Sequence, residues 1–111
     1  MKVVAFRVDS SLEMGSGHVV RCMTLARSLA SLGAECHFLC SDIPGNIISV
    51  LRDENFQVHT IPLSVKVTKK SWDWRYDLKI SLGIIRELNA DLILLDHYSL
   101  GCEWEKGIQK A

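Results

Sequence analysis

The distribution of apolar residues constrains this chain more than any other feature. Short continuous apolar runs alternate with segments whose apolar residues recur every three or four positions. The first run spans Lys2–Asp9; it is continuous over Val3–Phe6 and alternates afterwards. Cys36–Cys40, Phe56–Ile61 and Asp91–Leu95 follow. The continuously apolar runs predict strands covered on both faces, and Phe56–Ile61, interrupted by Gln57, His59 and Thr60, reads as a third strand. Between the first two, Cys22, Leu25, Ala26, Leu29 and Leu32 predict the inner stripe of a helix. Arg21, Thr24, Ser28 and Ser31 fall opposite, and Gly33 supplies a stop. Pro44 opens a shorter predicted helix through about Asn55, with Ile47, Ile48 and Leu51 inward. Ser64–Arg75 reads as a polar loop. Asp77–Leu88 reads as a third helix with Leu78, Leu82, Ile85 and Leu88 facing in, and a last helix begins at Glu103.

Strand–helix alternation of this kind predicts an α/β fold, a Rossmann-like open parallel sheet with helices on both faces. Right-handed crossovers favour the strand order 3-2-1-4. Such sheets bind ligands outside the carboxyl ends of their strands. The loops after strands one and four are therefore where chemistry is expected.

Composition narrows the function classes. With 111 residues the chain makes one domain, large enough to bury roughly two thirds of its unfolded surface. A formal net charge of zero removes the electrostatic footprint of a nucleic-acid binder. No basic amphipathic helix argues for a membrane surface, and no apolar run approaches the length of a span. Only four apolar residues follow Lys2 before Arg7 and Asp9 interrupt, too few for a secretory leader, so a cytoplasmic protein is expected. The four cysteines, at 22, 36, 40 and 102, contain no C-x-x-C pair. They read as free, mostly buried thiols rather than a disulfide frame or a zinc site.

The loop after the first strand holds Gly15-Ser16-Gly17-His18-Val19-Val20. A dinucleotide fingerprint needs glycine or alanine where Val20 stands, and needs its glycines directly after the strand rather than six residues on. No G-K-[ST] follows, which excludes a P-loop. What remains is His18 at a helix start, where unpaired N–H groups disfavour imidazolium and leave a neutral ring able to accept a proton. Gly15 and Gly17 would let substrate and backbone approach closely. The alternative is that His18 merely caps the helix.

Arg7 and Asp9 project from one face of the strand's carboxyl end. They form either a salt bridge bracing the loop or the border of a cleft beside His18. Asp96-His97-Tyr98 directly follows four apolar residues, where polar groups must face either solvent in a turn or a site. His37 and His59 lie within strands and read as structural. Trp72 and Trp74 make either a stacking platform or a cover for the core.

Taken together, "FRVDSS", "GSGHVVRCMTLARSLASLGAECHFLC", "GNII" and "LLDHYSL" resemble the nucleotide-sugar hydrolases of pseudaminic acid biosynthesis and the related spore-coat polysaccharide proteins. The resemblance runs along nearly the whole chain in order. It implies the N-terminal half of a glycosyltransferase-B-type fold, with the nucleotide held mainly by a C-terminal domain absent from these 111 residues. It also implies His18 as base in a hydrolysis that releases UDP from a 2,4-diacetamido-2,4,6-trideoxy hexose. Arg7, Asp9, Gly15, Gly17, Asp96, His97 and Tyr98 would border the sugar. Neither a metal nor a cofactor is implied. The alternatives are a glycosyltransferase half using a UDP-sugar donor, and a non-catalytic module that binds a partner domain. An unpaired apolar patch is expected near Leu100–Ile108.

Overall fold

A computed structural model describes residues 2–11, 15–62, 73–97 and 100–109. Four strands alternate with four helices in chain order: β1 (Val3–Val8), α1 (Gly17–Ser31), β2 (Glu35–Ser41), α2 (Ile48–Asp53), β3 (Gln57–Ile61), α3 (Trp74–Leu88), β4 (Leu92–Asp96) and α4 (Cys102–Gln109). The strands form one parallel sheet in the order β3-β2-β1-β4, as the alternation predicts.

Alternation along each strand divides the core into two layers. Val4, Phe6 and Val8 of β1 and Cys36, Phe38 and Cys40 of β2 face α1 and α2. There Val19, Cys22, Met23 and Ala26 meet Ile48 and Leu51, and Phe6 stacks on Phe38 at 4.8 Å between centroids. Ala5, Leu39 and Ile61 face the other way, toward Ile85 of α3 and Trp104 of α4.

Helix details depart from the expected pattern where local chemistry competes with periodicity. Leu25 lies on the exposed flank of α1, and Leu32, at the C-cap, is 84% exposed. Val19 and Met23 take the inner positions instead, because a helix starting at Gly17 turns them toward the sheet. Pro44 does not open α2. Gly45 adopts a left-handed φ of 85°, which makes a turn there, and Asn46 Oδ1 accepts from Ile48 N 3.1 Å away as the helix begins. Of the Ser64–Arg75 loop, residues 64–72, Trp72 included, lie outside the described residues; Asp73–Arg75 belong to the start of α3. Trp74 is half-buried against the core, with the Arg75 guanidinium 4.7 Å from its ring centre, so it covers the core rather than offering a platform.

α3 starts a turn earlier than predicted because Asp73 caps it, accepting from Arg75 N at 3.1 Å and Tyr76 N at 3.2 Å. Asp73→Ala should cost about 1 kcal/mol of stability, the usual value of such a cap. Denaturant unfolding checks this, and an unchanged midpoint would show the cap to be idle.

The surface near Leu100–Ile108 is shared with the edge of β4. Leu100 and Trp104 are buried, whereas Leu92 on β4 is 48% exposed. Among the described residues β4 pairs only with β1, and a cleft of about 370 Å³ runs along its outer edge between Leu92 and Ile108. No helix among the described residues is long and apolar enough to cross a membrane.

Candidate functional site

The chain runs outward from β1 to β2 to β3, then returns to the other side of β1 for β4. The order therefore reverses between β1 and β4, the position where parallel sheets of this kind open a crevice at their carboxyl ends. The start of α1 and the last residue of β4 meet there.

His18 occupies the first turn of α1 and is mostly buried. Its Nδ1 pairs closely with Oδ1 of Asp96, the final residue of β4. Oδ2 of the same carboxylate accepts from Arg21, from Nη2 at 2.6 Å and Nε at 3.1 Å. Burial alone would raise the Asp96 carboxyl. The hydrogen bonds from Arg21 and His18 outweigh it and hold the group below the ordinary carboxylate range. An ionised carboxylate offers only acceptors, so Nδ1 must carry a proton, and a neutral ring then has its lone pair on Nε2. Arg21 Nη2 also approaches His18 Nδ1 to 3.1 Å, which brings its positive charge beside the ring. Behind this trio sits Cys22, whose thiol is pushed up to about 11 by burial and by Asp96.

A second, deeper cluster lies beneath. Arg7 is sealed in the core, with Nη1 donating to Asp9 Oδ1 at 2.8 Å and Nη2 to Asp9 Oδ2 at 3.0 Å. Its Nε donates to Asp77 Oδ1 at 3.0 Å, Nη2 also pairs with Asp77 Oδ2, and Ser41 Oγ accepts at 3.0 Å. Asp9 accepts further from Ser41 N at 2.6 Å and from His97 Nε2 at 2.7 Å. Burial would raise the Asp9 carboxyl, but Arg7 and His97 hold it far below the usual range. Asp77 completes the cluster, accepting from Ser81 Oγ and Trp104 Nε1, each at 3.0 Å.

The residues singled out by sequence therefore separate. His18 and Asp96 come together at the crevice. Arg7, Asp9 and His97 lie below it as a brace joining β1, β2, β4 and α3; their side chains are enclosed rather than presented on a wall. Asp96 and His97 are adjacent yet point to opposite faces of the sheet, as strand geometry requires. Gly15 is exposed at a φ of 73° and exchanges backbone hydrogen bonds with Ser11. Gly17 is exposed as the first residue of α1, and a Cβ there would meet nothing within 4 Å. Tyr98 lies outside the described residues. His37 and His59 pair at 3.0 Å between β2 and β3, within the sheet. All four cysteines are free; only Cys102 is exposed. Among the described residues no group of three or more metal-ligating side chains is arranged around a common point.

Sequence reasoning missed Arg21 and Asp77. The apolar stripe of α1 leaves Arg21 on the solvent side of its helix, although a spacing of three from His18 puts both on one helix face. Asp77 and Ser81 share a four-residue rhythm with Ile85, which marks them as inward-facing polar groups; that signal was available.

The chain is 30% identical over 109 residues to the UDP-2,4-diacetamido-2,4,6-trideoxy-beta-L-altropyranose hydrolase of Campylobacter jejuni, a match covering 98% of this chain and 32% of that protein. The chain thus spans about a third of the length of this relative. Among solved structures it is similar to Acinetobacter baumannii MurG, with a TM-score of 0.66 and 18% identity over 89% of this chain and 28% of that one. This likeness bears on the fold alone, and it agrees with the glycosyltransferase-B-type half expected from the sequence. No protein-family model matches the chain.

Proposed function

We propose that this chain is the base-bearing part of a UDP-sugar hydrolase, acting on a 2,4-diacetamido-2,4,6-trideoxy hexose in the cytoplasmic synthesis of pseudaminic acid. The observation that carries the reading is the Asp96–His18 pair at the crevice between β1 and β4. Its support for the substrate is the name of the Campylobacter jejuni relative.

In this mechanism Asp96 keeps the ring in the Nδ1–H form, and Nε2 takes a proton from water as the water oxygen bonds to the anomeric carbon. The bond from that carbon to the β-phosphate oxygen breaks, and its electron pair leaves with UDP. The products are the free sugar and UDP, and His18 is left holding the proton. Positioned general-base help of this kind accelerates reactions by about 10²–10⁴-fold. Gly15 and Gly17 admit the sugar to the loop. The brace of Arg7, Asp9 and His97 serves the site from below by fixing the strand ends. The uridine diphosphate is held by a nucleotide-binding domain outside these 111 residues, so the chain alone does not turn over substrate.

The test grafts this chain in place of the matching third of the Campylobacter jejuni relative and supplies UDP-sugar in ¹⁸O-water. Label on the C1 hydroxyl of the released sugar, with none in UDP, is the expected result. Label in UDP would mean attack at phosphorus and overturn the mechanism. Transfer of unlabelled sugar to an added acceptor would instead mark a glycosyltransferase, in which the same base deprotonates an acceptor hydroxyl.

A further inference from the structure

Arg21 is 68% exposed along its side chain, yet both its Nε and Nη2 end on a single oxygen, Asp96 Oδ2. Exposed ion pairs add little to stability, so stability does not account for this arrangement. Its consequence lies in what is left: with Oδ2 taken, Oδ1 is the oxygen that meets His18 Nδ1. Residues 18 and 21 stand one helical turn apart, so α1 delivers ring and guanidinium to the same carboxylate from one rigid element.

We propose that Arg21 is a positioning residue for His18, acting through Asp96: it holds the carboxylate ionised and in one orientation, and the carboxylate in turn fixes the ring in its Nδ1–H tautomer. The value of this for catalysis rests on the hydrolase reading above; the geometry itself does not. Among the described residues the groups facing the Asp96 carboxylate come from α1, namely His18, Arg21 and the Cys22 thiol 3.9 Å from Oδ2. Arg21 and His18 together offset the desolvation of this carboxylate, the Arg21 hydrogen bonds first. A neutral imidazole in water favours the Nε2–H form, which would place a proton where the mechanism needs a lone pair. Without Arg21 the carboxylate is free to rotate and to gain a proton, and the ring loses its reason to stay in the Nδ1–H form.

The experiment uses the 111-residue chain itself, with ¹⁵N-labelled histidine and ¹³C-labelled aspartate followed by NMR. The wild type should show His18 as the Nδ1–H tautomer and Asp96 titrating below the ordinary carboxylate range. In Arg21→Ala the Asp96 titration should move up toward the ordinary value and the His18 signals should shift toward Nε2–H, while amide spectra confirm that the fold is kept. Arg21→Lys, which retains charge without the planar fork, should keep Asp96 low but restore the tautomer only in part. Unchanged His18 and Asp96 signals in Arg21→Ala would overturn the proposal and leave Arg21 as a solvated surface charge. These spectra require no turnover, so their outcome is separable from that of the ¹⁸O experiment. In the grafted enzyme Arg21→Ala should lower kcat with KM unchanged; a loss confined to KM would mean that Arg21 binds substrate instead.

Discussion

Arg7→Met is expected to bring the domain to the edge of unfolding. Two buried carboxylates, Asp9 and Asp77, both lean on this guanidinium. Removing one partner of a buried ion pair costs about 3–5 kcal/mol, because the remaining charge is left without compensation. Domains of this size are stable by only about 5–15 kcal/mol in total. The thermal midpoint should therefore fall by about 10 °C or more. Arg7→Lys should fall between, since one ammonium cannot reach Asp9, Asp77 and Ser41 in the geometry of a planar fork. A midpoint within a few degrees of wild type in Arg7→Met would show that the cluster contributes nothing net to stability.

The same cluster sets the acid limit of the fold. Asp9 is held far below the ordinary carboxylate value in the folded state, so the unfolded chain binds the extra proton first. Its stabilisation is fully present above the unfolded value of about 3.9 and is lost as pH falls from there toward the folded value. Asp96 acts with the same sign but less strongly, being closer to solvent. Denaturant midpoints should be insensitive to these two groups between about pH 5 and 7 and decline below about pH 4. A decline undiminished in Asp9→Asn would place the acid sensitivity elsewhere.

His18→Asn carries the largest expected effect on chemistry. Asparagine is at home near a helix start and keeps a polar outline, so the fold should survive. It has no basic nitrogen, however, and kcat in the grafted enzyme should drop by about 10²–10⁴-fold with UDP affinity little changed. If His18 serves only the architecture of α1, asparagine replaces it adequately and kcat stays near wild type. That outcome would sink the hydrolase mechanism while leaving the fold untouched.

Much of the architecture was written in local patterns. Continuous apolar runs such as DLILL identified strands covered on both sides, and the order β3-β2-β1-β4 followed from right-handed crossovers. The position of His18 was equally legible, because the end of β1 and the start of α1 are both marked by residues close by in sequence. Even the divergence of Asp96 and His97 is implicit in the two-residue period of a strand. What sequence left open was the partner of each charge. Arg7 and Asp9 read equally well as a brace or as a cleft wall until α3 delivered Asp77 from 70 residues away and α4 delivered Trp104 onto the same carboxylate. Arg21 read as a solvated helix face until β4 brought Asp96 within 2.6 Å of it. Backbone periodicity is a property of neighbours along the chain and can be read there. The environment of an ionic group depends on which distant elements the crossovers lay against it, and only the folded sheet decides that.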